Sequence, residues 1–393
     1  MSLTRRDILV GGAGAAVGLL GGLTGWRVAM AATPVAAAAS RDASDARLVL
    51  IILRGGLDGL AAFPRPGDAQ WRALGRDTEA KVNLSDGFAL HPGLASLAPW
   101  WTEGALALVP AAGQPAATRS HFDAQDLLEE GGAKLGDVQD GWLRRALDTL
   151  GMGSAATAIG TGVPLVLRDK KGAGASSVDP GRESRLDDAL ARELSRLWAG
   201  DGTLEAALGE AMRAHAAADG MTTKDAGGDG LAAEATGAGR LLGPGGGYRV
   251  AVLDNAGWDT HAGQAARLER QLGDLAAALA GLRAGVGELW PRTAILVTTA
   301  FGRTARPNGT TGTDHGTAGP LLLAGGAIRG GRVVGDWPGL VELHEGRDLR
   351  VATDVRAVFK GVLRDHLGVD AARLEREVFP GSAGVSALGG LTR

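Results

Sequence analysis

Two short segments, GWDTH at residues 257–261 and GTDHG at 312–316, bracket the part of the chain that decides the fold. RVAVL at 249–253 leads into the first segment and has the length and β-branching of a buried strand. From Gln264 to Val286, Leu268, Leu272, Leu275, Leu279, Leu282 and Val286 recur at intervals of 4, 3, 4, 3 and 4, which is one apolar face of a long helix. TAILVTT at 293–299 then reads as a strand buried on both faces, followed by AFGRT at 300–304. Strand, crossover helix and strand form a βαβ unit, and its fixed handedness returns both carboxyl ends to one sheet edge. Asp259 and His261 are thereby expected in the same crevice as the residues that follow Thr299.

Moving outward, RLVLIIL at 47–53 is another doubly buried strand, and RGGLDGL at 54–60 places Asp58 just beyond its end. Ligand sites of open α/β sheets lie at that edge, although a turn aspartate equally serves as a helix cap. Further strands are expected at 105–110, 163–167, 321–323 and 332–334. TRSHF at 118–122 puts Ser120 at a helix start that Gly131-Gly132 ends. Its hydroxyl is either an ordinary N-cap or, beside Arg119 and His121, a nucleophile where the helix terminus favours an anion. Helices are also expected at 141–147, 182–198 and 204–217, and a last one, capped by Thr353, carries His366 on its surface. Residues 219–247, rich in glycine, read as a flexible loop or lid. The expected fold is α/β: one domain over about 47–385, a central mostly parallel sheet with helices on both faces, and a loop-rich insertion near 170–247.

Arg5-Arg6 heads an apolar, glycine-rich run that ends in Ala29-Met30-Ala31, the pattern of a twin-arginine export signal over residues 1–31. The run falls short of the roughly 20 apolar residues of a spanning helix, so no retained membrane span is expected. Residues 32–46 read as a linker, and the mature chain is expected in the periplasm or secreted, with the twin-arginine export machinery as a partner. Without residues 1–31, 38 basic and 43 acidic side chains leave a net charge of −5, which gives no footing for nucleic acid. The chain has no cysteine, which excludes disulfides, thiolate metal ligands and cysteine nucleophiles.

Asp58, Asp259, His261, Asp314 and His315 offer three carboxylates and two imidazoles at strand ends. Mixed nitrogen and oxygen donors suit one or two divalent ions of the Zn, Mn or Fe type better than calcium. Two such ions could clamp a phosphate or sulfate ester while Ser120 attacks, with Arg303 and Arg119 as forks on its oxygens. His121 is a base, a ligand or a packing residue. RGGLDGL, TRSHF, GWDTH, FGRT and GTDHG in this order resemble a widespread bacterial family of exported proteins that carry a domain of unknown function. That family is similar in fold to the superfamily of alkaline phosphatase, sulfatases and cofactor-independent phosphoglycerate mutase. The resemblance runs from about Arg47 to the VFP near Pro380. It implies Asp58 as a first-strand metal aspartate, Ser120 as nucleophile, Asp259 and His261 as an acid–His element, and Asp314 and His315 as paired ligands.

The chain departs from that pattern in three places. The superfamily's first acid–His pair is often spaced at four, but here the His lies at +2 and position 263 is Gly. Ala300 stands where relatives often carry a glutamate. Only His344 is available near the place of the last metal histidine. These departures leave open a single-metal or degenerate site. The expected activity is hydrolysis of a small anionic ester or a periplasmic polymer. The alternative is a non-catalytic periplasmic binding or assembly protein on a phosphatase-like scaffold.

Overall fold

The computed structural model describes residues 45–393 apart from 78, 81, 117, 161, 172–174, 180–187, 203, 206–207, 210, 213–214 and 216–229. The expected export signal and nearly all of the linker lie outside the described residues. No helix among the described residues is long and apolar enough to cross a membrane.

The chain is an α/β protein whose central sheet is mostly parallel and carries helices on both faces. Its strands are β1 (Arg47–Leu53), β2 (Leu106–Gly113), β3 (Ala156–Ile159), β4 (Ser176–Val178), β5 (Val250–Asn255), β6 (Thr293–Thr299), β7 (Gly319–Ala324), β8 (Arg332–Val333) and β9 (Thr353–Asp354). They lie in the order β8-β2-β7-β6-β1-β5-β3-β4, with β9 also beside β2. Only β7 runs antiparallel to its neighbours, β2 and β6. At the centre, Leu53 of β1 pairs with Asn255 of β5 on one side and Thr299 of β6 on the other. Three strands therefore deliver RGGLDGL, GWDTH and AFGRT to one edge, as the βαβ argument requires.

Alternation along β1 divides the core in two. Leu48, Leu50 and Ile52 face a layer containing Trp142, Leu143 and Phe359, whereas Val49, Ile51 and Leu53 face Leu241, Leu272 and Leu279. The first layer is built by α2 (His121–Glu130), α3 (Trp142–Thr149) and α7 (Val355–Leu367). Two of the helices are α4 (Asp188–Leu197) and α5 (Leu231–Leu242); α5 joins α6 (Gln264–Val286) in the second layer. In α6 the buried leucines are those picked out by the 4-3-4-3-4 spacing. A four-residue helix, α1 (Gly59–Ala62), follows β1 directly.

Several local expectations are revised. Residues 163–167 do not form a strand; Leu165–Leu167 is a 3-10 turn after Pro164. The strands beyond β5 are instead β3 and β4, too short and too rich in Ala and Ser to stand out by hydropathy. Part of the expected lid, Leu231–Leu242, is a buried helix packed on α6. Gly239 permits that approach, since a Cβ there would lie 2.8 Å from the Leu282 carbonyl oxygen. Residues 219–229 of the same stretch lie outside the described residues. Asp354, not Thr353, caps α7, accepting from the Arg356 N–H at 2.9 Å. His366 is partly buried and donates from Nε2 to the Arg47 carbonyl at 2.8 Å.

Candidate metal centre

The loop after β5 carries Asp259 and His261, the loop before β7 carries Asp314 and His315, and the first turn of α2 carries His121. The loop after β1 supports them from behind. Gly55, at φ +103°, passes so close that a Cβ would lie 3.1 Å from the Asp259 nitrogen. This position needs glycine on both counts. Phe301, just past β6, forms a wall: its ring centroid is 5.1 Å from that of His121 and 4.7 Å from that of His315.

Three imidazoles meet on one carboxylate. The Nε2 atoms of His121, His261 and His315 lie 2.8, 3.1 and 3.1 Å from Asp259 Oδ2. Asp259 Oδ1 accepts from Arg303 Nη1, whose side chain is fully buried. Among the described residues, His121, Asp259 and His315 form the group of ligand atoms close enough to share a metal ion. His261 adjoins it, with its Nε2 at 3.0 Å from that of His315. Burial pushes the Asp259 carboxyl upward, but hydrogen bonding from His315, the Arg303 charge and His121 outweigh it and hold it at about 2.

The outer nitrogens establish which protons these rings carry. His315 Nδ1 lies 2.8 Å from the Arg119 carbonyl oxygen, which only accepts, so Nδ1 holds a proton. His261 Nδ1 lies 3.2 Å from Asp314 Oδ1. The Asp314 carboxyl is held below its usual range, chiefly by the Asn308 hydrogen bond against mild desolvation and then by His261, so it too is an acceptor. In the neutral rings both Nε2 lone pairs therefore point inward, at each other and at a carboxylate. One proton shared between the rings, or a metal ion between them, relieves this arrangement. Two Nε2–H groups would collide across 3.0 Å, so at most one of the two rings carries that proton. The donor set fits a divalent ion, with outer partners orienting the His261 and His315 imidazoles as those of metal-bound histidines do.

The other expected site residues are distributed around this cluster. Asp314 orients His261 from outside and is itself more than half exposed. Asp58 stands apart: it caps α1 through the Ala61 N–H, and its Oδ2 accepts from Arg76 Nη1 at 2.6 Å and Gln264 Nε2 at 2.7 Å. The capping alternative is thus what the chain adopts, with a buried ion pair added. Ser120 is the exposed N-cap of α2, its Oγ 3.5 Å from the Asp123 nitrogen. Arg303 is occupied by Asp259 and by the hydroxyl and carbonyl of Thr313, which makes it a support for Asp259 rather than an open fork. Arg119 pairs with Glu345 at 2.6 Å and with buried Asp348 at 2.7 Å. His344 lies beside Glu345, away from the converging nitrogens. His121, whose role the motif left open, joins the ring cluster; its place directly after a capping serine at a helix start was the available signal.

Comparison with known proteins adds a family. No curated protein matches the chain. Among solved structures, the C-terminal periplasmic domain of EcEptC from Escherichia coli is 11% identical with a TM-score of 0.37, covering 91% of this chain and 90% of that one. The phosphonate monoester hydrolase of Agrobacterium radiobacter is 14% identical with a TM-score of 0.35, covering 82% and 74%. The soluble domain of lipooligosaccharide phosphoethanolamine transferase A from Neisseria meningitidis is 10% identical with a TM-score of 0.31, covering 73% and 78%. A family model described as "Protein of unknown function (DUF1501)" matches residues 73–378. The chain belongs to the DUF1501 family.

Proposed function

We propose that this chain is an exported, metal-dependent hydrolase of a phosphate or sulfate ester. The observation that carries the metal is the convergence of three imidazole Nε2 atoms on Asp259 Oδ2 at 2.8–3.1 Å. His121, Asp259, His261 and His315 would hold one Zn, Mn or Fe ion. Bound there, such an ion supplies a Lewis acid and a low-pKa water. Asp314 stays outside as the partner that fixes the His261 tautomer. Arg303 holds Asp259 Oδ1 and leaves Oδ2 facing His121 and His261, with His315 against both oxygens. The ester class rests on the motif order, and the export route on the twin-arginine pattern at Arg5-Arg6.

Ser120 is the candidate nucleophile. Its exposed hydroxyl immediately precedes His121, and the Arg119 carbonyl next to it anchors His315. The helix N-terminus behind it favours an anionic group. One observation favours the second reading, a binding or assembly protein that takes a small anionic ester or a periplasmic polymer without turnover. Both arginines expected to grip the ester oxygens, Arg119 and Arg303, are already paired within the protein. The test is hydrolysis of aryl phosphate, phosphonate and sulfate esters by the Zn-, Mn- or Fe-loaded chain beside Ser120→Ala. Turnover that falls by 10²-fold or more in a variant that keeps its metal supports the enzyme with this nucleophile, on the order expected for loss of a covalent step. Full turnover in the variant removes Ser120, and no turnover in the loaded wild type favours the binding protein.

A further inference from the structure

We propose that Asp58 is a positioning residue for the metal centre, acting on Asp259 through Gln264, Thr313 and Arg303. This rests on the metal-centre reading above. Asp58, Gln264, Thr313 and Arg303 are all at most 8% exposed and form one continuous hydrogen-bonded chain. Gln264 Nε2 donates to Asp58 Oδ2 at 2.7 Å. Gln264 Oε1 accepts from the Thr313 hydroxyl at 2.8 Å and from the Thr260 hydroxyl at 2.7 Å. Thr313 Oγ1 accepts from Arg303 Nε at 3.1 Å, and Arg303 Nη1 donates to Asp259 Oδ1.

The direction of every link is set by its two ends. An ionised carboxylate only accepts, so Asp58 draws the amide NH₂ of Gln264 and turns its oxygen toward the two threonines. Each threonine must then point its proton at Gln264. That leaves a Thr313 lone pair for Arg303 Nε, since a guanidinium only donates. Arg303 is thereby held where it grips Asp259 Oδ1, and Oδ2 is presented to His121 and His261, with His315 against both oxygens. Thr260, between Asp259 and His261, ties the same glutamine to the loop that carries both. Reversing the Gln264 amide would set its oxygen against the Asp58 carboxylate, so the chain has one stable polarity. A strand-end aspartate that never touches the ion can in this way orient its carboxylate ligand.

The experiment measures zinc affinity by competition with a chromogenic chelator, and the visible spectrum of the Co(II)-loaded protein. The chains compared are wild type, Thr313→Val, Thr313→Ser, Asp58→Asn and the Asp58→Asn/Thr313→Val double variant. We expect Thr313→Val to weaken zinc binding by about 10- to 100-fold and shift the Co(II) bands, as loss of an outer partner does. Thr313→Ser, which keeps the hydroxyl, should retain both. Asp58→Asn should weaken binding similarly, and the double variant should be no weaker than the poorer single, because the two act along one path. If Asp58→Asn does not fold, the cycle is run with Gln264→Leu in its place, with the same expectation. Wild-type zinc affinity in folded Thr313→Val overturns the proposal, as do losses that multiply in the double variant, which would make Asp58 an independent ligand. A wild-type chain that binds no metal fails the metal-centre reading itself, a distinct outcome from a metal-binding wild type with unaffected variants.

Discussion

Replacing Arg76 by Met examines how the strand-end loop is held. Arg76 is 5% exposed. Its guanidinium donates to Asp58 Oδ2 at 2.6 Å, to the Ala305 carbonyl at 2.8 Å and to the Thr304 carbonyl at 2.6 Å. Met fills much of the aliphatic volume but supplies none of these donors. Asp58 keeps the Ala61 N–H and Gln264, yet its buried charge loses the guanidinium paired with it. Breaking a buried pair by removing one partner costs about 3–5 kcal/mol. The two stranded carbonyls add to this, but they share the same cavity, so we place the total near the upper end, about 5 kcal/mol. The Asp58→Asn/Arg76→Met double variant removes the uncompensated charge and should lose about 2 kcal/mol less than the sum of the singles. Urea unfolding at pH 7, followed by far-ultraviolet circular dichroism and tryptophan fluorescence, measures all three. A loss below about 1 kcal/mol for Arg76→Met, or strict additivity in the double variant, would show that Arg76 does not hold the Asp58 charge.

Two further outcomes follow from groups outside the centre. Burial, and then the Asp179 and Asp254 charges, lift the Glu234 carboxyl from 4.5 to about 7. A raised folded-state pKa contributes stability below about pH 4.5 that is lost as pH rises through 7. Glu234→Gln should therefore melt like wild type at pH 4 and gain about 1–2 kcal/mol at pH 8, after discounting for partial exposure. Gly239→Ala would ordinarily favour a helix, but here the added Cβ meets the Leu282 carbonyl at 2.8 Å and Gly285 Cα at 2.9 Å. It should destabilise by about 1–3 kcal/mol in urea unfolding, the reverse of the propensity effect.

The fold was legible where the apolar pattern was long. The leucines of α6 and the β-branched runs of β1 and β6 state their own burial, and the βαβ rule carried GWDTH and the residues after Thr299 to one edge. It was illegible where packing overrides composition. Leu231–Leu242 contains two glycines and four alanines, so it reads as loop, yet those small residues are what let two helices touch. The strands β3 and β4 are 4 and 3 residues long and draw their burial from neighbours. At the site, the motifs supplied Asp259, His261 and His315, which the structure brings together, without their roles. Nothing local distinguishes a ligand aspartate from one that caps a helix, and Asp58 is committed to Arg76 and Gln264, partners 18 and 206 residues away. Likewise, only the return of α2 to the strand edge shows that His121 meets Asp259, 138 residues on.

The most direct test of the central claim is the metal content per chain by mass spectrometry, for protein prepared without chelators beside a folded His261→Ala/His315→Ala variant. About one Zn, Mn or Fe per wild-type chain, lost in the variant, is the expected result. A folded wild type that holds no metal after incubation with each ion, or a variant that retains the full complement, would contradict it.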